Sequence, residues 1–368
     1  MAQWLNLTDL LPQGLRSLST GEIRKCLLIR ALMGRPELLI LDDPFCGLDK
    51  TSTTSLFQGI NGLQREGTVP ILLLGKHAQL PAFVTHVAEM KDGRLLFSGD
   101  KMSWERQKKG EKSSSPLCIS ETCFFPNRAL SPTPPDTPLV QFQGVHVAYN
   151  QKPVLRNLSF EVMPGENWMI TGPNGSGKST ILSMINADNP KVYGQDVHLF
   201  GRKRGTGESI WEIKQQIGYL SAEFQIAYRA SATPFSAILS GLSDSIGTYR
   251  RFSAREKEAA HGWLDALGMR PLKERPLRSL SAGQQRMVLM ARAMIKAPRL
   301  LILDEPCQGL DDANTKIVLR LADALGASGK TSLLFVTHDP AEKLNCLTHH
   351  MQLTPSALKG SQAHITAL

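Results

Sequence analysis

The chain has 368 residues, 42% hydrophobic and 20% charged, with 42 Lys and Arg against 33 Asp and Glu for a formal net charge of +9, which excludes a disordered or fibrous chain and leaves room for two domains with sizeable cores. The mild basicity suits a polyanion and does not by itself choose among nucleotide, nucleic acid and an anionic membrane face. No apolar run reaches the ~18–20 residues that span a bilayer, Met1–Leu11 has the pattern of neither a secretion signal nor a presequence, and six scattered cysteines without CxxC spacing point to free thiols in a reducing, cytoplasmic compartment.

Taken from the start, residues 18–49 read LSTGEIRKCLLIRALMGRPELLILDDPFCGLD. Residues 280–311 read LSAGQQRMVLMARAMIKAPRLLILDEPCQGLD, identical at 17 of 32 positions at an offset of 262. The chain therefore holds two copies of one unit. Between them, residues 101–112 are charged and residues 113–138 contain SSSP and SPTPPDTP. Pro and Ser disfavour both helix and ladder, so residues 100–138 read as a linker between 1–99 and 139–368.

In the second part Val140–Tyr149 and Val154–Val162 alternate as half-buried strands. Trp168–Thr171 is a short apolar strand running into a Gly-rich turn. The spacing predicts helices over Ser179–Ala187, Trp211–Ile217, Lys257–Leu267 and Ser279–Lys296. Arg299–Leu303 and Thr331–Val336 read as buried strands of a parallel sheet, which makes the class α/β.

Gly172-Pro173-Asn174-Gly175-Ser176-Gly177-Lys178-Ser179-Thr180 sits between a predicted strand and a predicted helix, the setting a phosphate loop needs. Backbone N–H groups must converge on a phosphate, and side chains would block them, hence the glycines. Lys178 suits the β- and γ-phosphates, and the Ser179 hydroxyl suits Mg²⁺. Leu300–Pro306 ends a buried strand in two carboxylates. Asp304 is the candidate Mg²⁺ ligand, and Glu305 the candidate general base that polarises an attacking water.

With Leu280-Ser281-Ala-Gly283-Gln284 ahead of that acidic strand, the chain resembles the ATP-binding-cassette family over all of 139–368. The resemblance implies a P-loop NTPase fold with a RecA-like core, an antiparallel β subdomain and a helical subdomain. It implies that Tyr149 would stack on adenine, that Asp311 would lie in the loop passing between cassettes, and that His338 would hydrogen-bond the γ-phosphate. It places Ala222 where the family has Gln, with Glu223 and Gln225 nearby. In the family, cassettes pair head to tail, so that one phosphate loop faces the other's signature. Ser19 and Gly21, or Ser281 and Gly283, would then complete a site within the chain or between two chains.

The first copy keeps the signature Leu18–Glu22, Asp42, and His77 at the place of His338; Asp43 stands for the catalytic Glu, and no phosphate loop precedes it. Gly201–Lys214, Ile217–Tyr219, Ser240–Gly247 and the first copy's LSTGE are similar to the tandem-cassette ModF/PhrA family of molybdenum-transport and photorepair ATP-binding proteins. The chain resembles the last three quarters of that family's pattern, with the first cassette shortened at its N-terminal side. The expectation is an ATP- and Mg²⁺-dependent ATPase without a membrane domain, with ATP and a second cassette as its partners. The alternatives are the nucleotide-binding subunit of a membrane transporter, peripheral to the membrane, or a non-hydrolysing regulator. The Pro/Ser-rich linker differs from the charged helical linker of twin-cassette translation factors, and zinc CxxC pairs of repair cassettes are absent, so nothing in the sequence points directly to nucleic acid.

Overall fold

The computed structural model describes residues 20–34, 36–42, 44–45, 50–65, 67–74, 80–91, 93–108, 136–221, 224–225, 228, 232–247, 249–310, 312–339, 341–355 and 360–368. They fall in two compact units, Met1–Cys118 and Ile119–Leu368. No described helix is long and apolar enough to cross a membrane.

In the first unit α1 (Thr20–Met33) precedes β1 (Leu38–Asp42), and α2 (Lys50–Arg65) precedes β2 (Val69–Leu73). The two strands pair in parallel, Leu38 opposite Val69. Leu39 and Leu41 form a small core with Leu56 and Ile60 of α2. Strand periodicity turns Leu38 and Ile40 the other way, and both are exposed. A separate antiparallel hairpin joins β3 (His86–Lys91) to β4 (Arg94–Asp100). The charged stretch that composition reads as the start of a linker is instead helical, α3 (Lys101–Lys108). Its Trp104 indole N–H donates to Glu89 at 2.9 Å, and the Lys101 ammonium donates to the Pro81 carbonyl at 3.0 Å. Two tertiary contacts thus anchor residues whose composition alone would leave them solvated.

The second unit is built on a six-stranded sheet. Its strands are β7 (Asn167–Thr171), β10 (Ile217–Ser221), β11 (Leu300–Asp304), β12 (Ser332–Thr337), β13 (His349–Thr354) and β14 (Gln362–Ala367), in the order β10-β11-β12-β7-β13-β14. The first five run parallel, and β14 is antiparallel to β13. A second, antiparallel sheet has the order β6-β5-β8-β9, from β5 (Val140–Tyr149), β6 (Lys152–Val162), β8 (Asp196–Leu199) and β9 (Arg202–Lys203).

Helix α4 (Lys178–Ile185) follows β7, and α5 (Ile210–Gln216) precedes β10. Then come α6 (Pro234–Ser240), α7 (Ala254–Ala266), α8 (Ala282–Met294) and α9 (Asp312–Ala327). Several starts are written locally. Ser209, Thr233, Ser253 and Ser281 each close a capping box with the residue three positions on, satisfying first-turn N–H groups that a helix cannot satisfy itself. Helix α7 stops where Gly268 takes φ 65 and Met269 donates back to the Leu264 carbonyl at 2.7 Å, a left-handed stop that glycine adopts without steric cost.

The parallel sheet separates two cores. Leu301, Leu303, Leu333 and Phe335 join the helical side with Trp263, Val288 and Leu325. Leu300, Ile302, Leu334 and Val336 join the other side with Ile181 and Ile185 of α4 and Phe142 and Leu155 of the antiparallel sheet. Alternate residues of β11 and β12 thus feed opposite cores, which is why these strands read as unbroken apolar runs.

Candidate functional site

The carboxyl ends of β7, β12 and β11, three neighbouring parallel strands, carry the phosphate loop, His338 and the Asp304–Glu305 pair. Register aligns them: Thr171 lies opposite Thr337, and Val336 opposite Asp304. Ligand sites of open α/β sheets form beyond the carboxyl ends of the strands, and here loop chemistry and position agree.

Two glycines of the loop are required by close approach. A Cβ on Gly172 would lie 2.7 Å from the Leu353 carbonyl oxygen, and one on Gly177 would lie 2.7 Å from Cδ2 of Leu155. Gly177 also has φ 92 and opens α4. The Lys178 side chain is buried, and its ammonium donates to the carbonyls of Gly172 and Pro173 at 2.7 and 3.1 Å. The Ser176 hydroxyl is fully buried with no hydrogen-bond partner among the described residues. A cradle a Cβ would fill, an inward cation and an unsatisfied hydroxyl fit a polyphosphate. Ser179 is exposed on the first turn of α4, and Asp304 is partly buried at the end of β11. Two protein oxygen donors fit a hard cation that draws its remaining ligands from phosphate and water.

Glu305 has φ 48, and its N–H donates to the Val336 carbonyl at 2.9 Å. Its carboxylate meets Nδ1 of His338 at 3.0 Å, with both side chains about one-fifth exposed. Burial pushes the Glu305 carboxyl up, but the His338 hydrogen bond and charge, with the charge of Lys178, leave it below the usual range. The same hydrogen bond, against burial, raises His338. Behind them, Thr337 donates to Glu342 at 2.6 Å, and burial raises the Glu342 carboxyl. Glu342 belongs to this cluster, yet no spacing in the sequence singles it out.

Tyr149 ends β5, is 40% exposed, and its hydroxyl accepts from Asn189 at 2.7 Å. Ser281 caps α8: its hydroxyl accepts from the Gln284 N–H at 3.2 Å, and its own N–H donates to the Gln284 side chain at 3.1 Å. Gly283 is buried where a Cβ would come within 2.1 Å of the Asn314 Oδ1. Gln225 donates to Gln285 of α8 at 3.3 Å. Gly21 lies in the first turn of α1. Ser19, Asp43, His77, Ala222, Glu223 and Asp311 lie outside the described residues. In the basic run 202–204, Arg204 is buried and paired with Glu208, so it is committed inside its own loop.

Comparison with known proteins bears on the fold and the family. The family model described as ABC transporter matches residues 155–308. The ABC transporter ATP-binding protein ModF of Escherichia coli is 41% identical over 367 residues, covering 96% of this chain and 73% of ModF. An uncharacterised ABC transporter ATP-binding protein of Schizosaccharomyces pombe is 31% identical over 360 residues, covering 96% and 71%. Among solved structures, a nucleotide-free ATP-binding cassette from an ABC transporter has a TM-score of 0.50 at 21% identity, covering 59% of this chain and 87% of that one. The structure of cbiO1 from Clostridium perfringens, part of an ABC transporter complex, gives 0.51 at 20% identity, covering 59% and 85%. The structural likenesses carry the fold and the sequence relatives carry the family: the chain belongs to the ATP-binding-cassette proteins, as an ABC-type ATPase of the ModF kind.

Proposed function

We propose that residues 139–368, within the second unit, hydrolyse ATP with Mg²⁺ in the cytoplasm, using Lys178, Asp304, Glu305 and His338. The observation that carries this reading is the Glu305–His338 contact of 3.0 Å at the ends of adjacent strands, with the Lys178 charge acting on both. A carboxylate held ionised is a competent proton acceptor for water. Water oxygen attacks the γ-phosphorus, Glu305 takes its proton, and the bond to the β–γ bridging oxygen breaks to give ADP and phosphate. Lys178 turns from its two loop carbonyls to the β- and γ-phosphates, and His338 donates to the γ-phosphate. Tyr149 stacks on adenine. A bound Mg²⁺, held by Ser179 and Asp304, supplies charge neutralisation on the phosphates.

The test is Mg²⁺-dependent ATP hydrolysis by the full chain. Glu305→Gln lowers turnover at least about 100-fold with ATP still bound, whereas Lys178→Ala weakens binding itself. Unchanged turnover in Glu305→Gln overturns Glu305 as the proton acceptor, whereas ATP binding without turnover in the wild type marks the chain as a non-hydrolysing nucleotide-binding regulator. Pairing of cassettes is read from the same assay. Loss in Ser19→Arg alone marks a site completed by the first copy's signature. Loss in Ser281→Arg alone marks second units paired between chains.

A further inference from the structure

Glu305 holds a left-handed backbone conformation that a non-glycine residue adopts only at a steric cost. Its φ is 48, and Pro306 follows it. Such a conformation persists where surrounding contacts over-determine it. The Glu305 N–H is fixed to β12 through the Val336 carbonyl, and its own carbonyl accepts from the Gln308 N–H at 3.1 Å. The Gln308 carbonyl in turn accepts from Nη2 of Arg286 at 3.1 Å. Arg286 is 3% exposed and stands on α8, five residues after Ser281 and three after Gly283. The first copy also has arginine at the matching place, Arg24.

We infer that Arg286 is a positioning residue for Glu305: it ties the turn Glu305–Gln308 to the signature helix, so that the alignment of the carboxylate follows the placement of α8. A guanidinium–carbonyl bond is charge-assisted and stronger than a neutral one. A helix moves as a rigid rod, so whatever Ser281 and Gly283 meet is transmitted along less than two turns to Arg286. This inference rests on the reading of Glu305 as the proton acceptor.

Three measurements on the full chain test it, with thermal melting as the check on folding. First, amide hydrogen exchange is followed without nucleotide. Arg286→Met speeds exchange across residues 305–310 and leaves 172–180 unchanged. Second, Arg286→Met lowers kcat by roughly 10- to 100-fold, the cost of a misplaced catalytic group, while the affinity for a fluorescent ATP analogue stays within about threefold. Arg286→Lys, which keeps the charge but not the fork, recovers part of the rate. Third, Arg286→Met added to Glu305→Gln makes single-turnover hydrolysis no slower than Glu305→Gln alone, because groups acting through one another are not additive.

Unchanged exchange at 305–310, or a double variant that multiplies the two losses, overturns the inference. Should Arg286→Met melt out, Arg286→Lys carries the same exchange measurement and the same cycle. The two readings fail separately. Full activity in Glu305→Gln overturns the base assignment and this inference together. Loss in Glu305→Gln with no rate or exchange change in the Arg286 variants overturns this inference alone.

Discussion

The pentapeptide Leu-Leu-Ile-Leu-Asp occurs twice, as β1 (38–42) and as β11 (300–304), and the two copies are buried differently. Leu300 and Ile302 are 0% exposed, whereas Leu38 and Ile40 are 50% and 59% exposed. The alternate pair is buried in both, Leu39 and Leu41 against α2, Leu301 and Leu303 against the helical side. In the second unit β7 stands between β12 and β13, with α4 and the antiparallel sheet covering that face. Among the described residues of the first unit, β1–β2 and β3–β4 remain separate two-stranded sheets. Identical residues with identical strand propensity thus acquire different burial. What a strand's side chains contribute is decided by the layers that cover them.

The largest expected difference between the copies follows directly. Ile302→Ala removes side-chain carbons from a closed core and costs about 2–5 kcal/mol. Ile40→Ala, at the matching position, costs less than about 1 kcal/mol, because little area leaves water there. Chemical denaturation of each variant, followed by a fluorophore placed in the unit concerned, measures both. Equal losses would mean that the outer face of β1 is covered in solution.

The next difference lies at Lys296, which matches Gly34 in the first copy. Its side chain is 4% exposed, and its ammonium donates to the Lys214 carbonyl at 2.6 Å and is paired with Asp244. Burial, against the pull of Asp244, lowers it to about 8. The sign follows from proton counting. Between about pH 8 and about pH 10.5 the unfolded chain binds more protons at this group than the folded chain, so stability rises with pH there. Below about pH 8 both states are charged and the slope vanishes. Relative to Lys296→Met, the wild-type chain gains on the order of 1–3 kcal/mol across that window. A difference that stays flat from about pH 7 to about pH 10.5 would show the ammonium solvated in the native state.

How much of this was legible in the sequence depends on distance along the chain. The phosphate loop, the acidic strand end and the capping serines are contiguous, and their chemistry dictates their spacing. Helix α8 was expected over Ser279–Lys296 and runs Ala282–Met294, because Ser281 takes the cap position rather than the first turn. What the sequence hid is long-range. Glu342 reaches the site through Thr337. Arg286 reaches a carbonyl 22 positions away. Asn167 ties three segments, donating to the Gly326 and Cys346 carbonyls and accepting from the Leu333 N–H. No local periodicity marks such residues, since their partners are supplied by topology. Helix α3 was hidden for the complementary reason: its charged composition matches a linker, and its contacts to Glu89 and to the Pro81 carbonyl come from tertiary structure.

The glycine of the second signature separates packing from nucleotide contact. Gly283→Ala places a Cβ 2.1 Å from Asn314 Oδ1, an overlap that costs roughly 1–3 kcal/mol as the helices part. Asn314→Ala removes the two nearest atoms and recovers part of that loss in thermal melts. Activity lost without any loss of stability would assign the glycine to the nucleotide instead.

The smallest effect concerns Ser281, whose hydroxyl serves α8 whether or not a second cassette is present. Ser281→Ala removes the acceptor for the Gln284 N–H and costs about 1 kcal/mol in denaturation. Ser281→Asp keeps an acceptor there and holds the stability of the wild type. It also places a negative charge where the paired reading puts a γ-phosphate, so it abolishes hydrolysis if this signature completes a site. Because the cap and the phosphate contact ask for the same oxygen but opposite tolerance of charge, the Ala and Asp variants together assign it. An aspartate that is both stable and active leaves Ser281 as a helix cap alone.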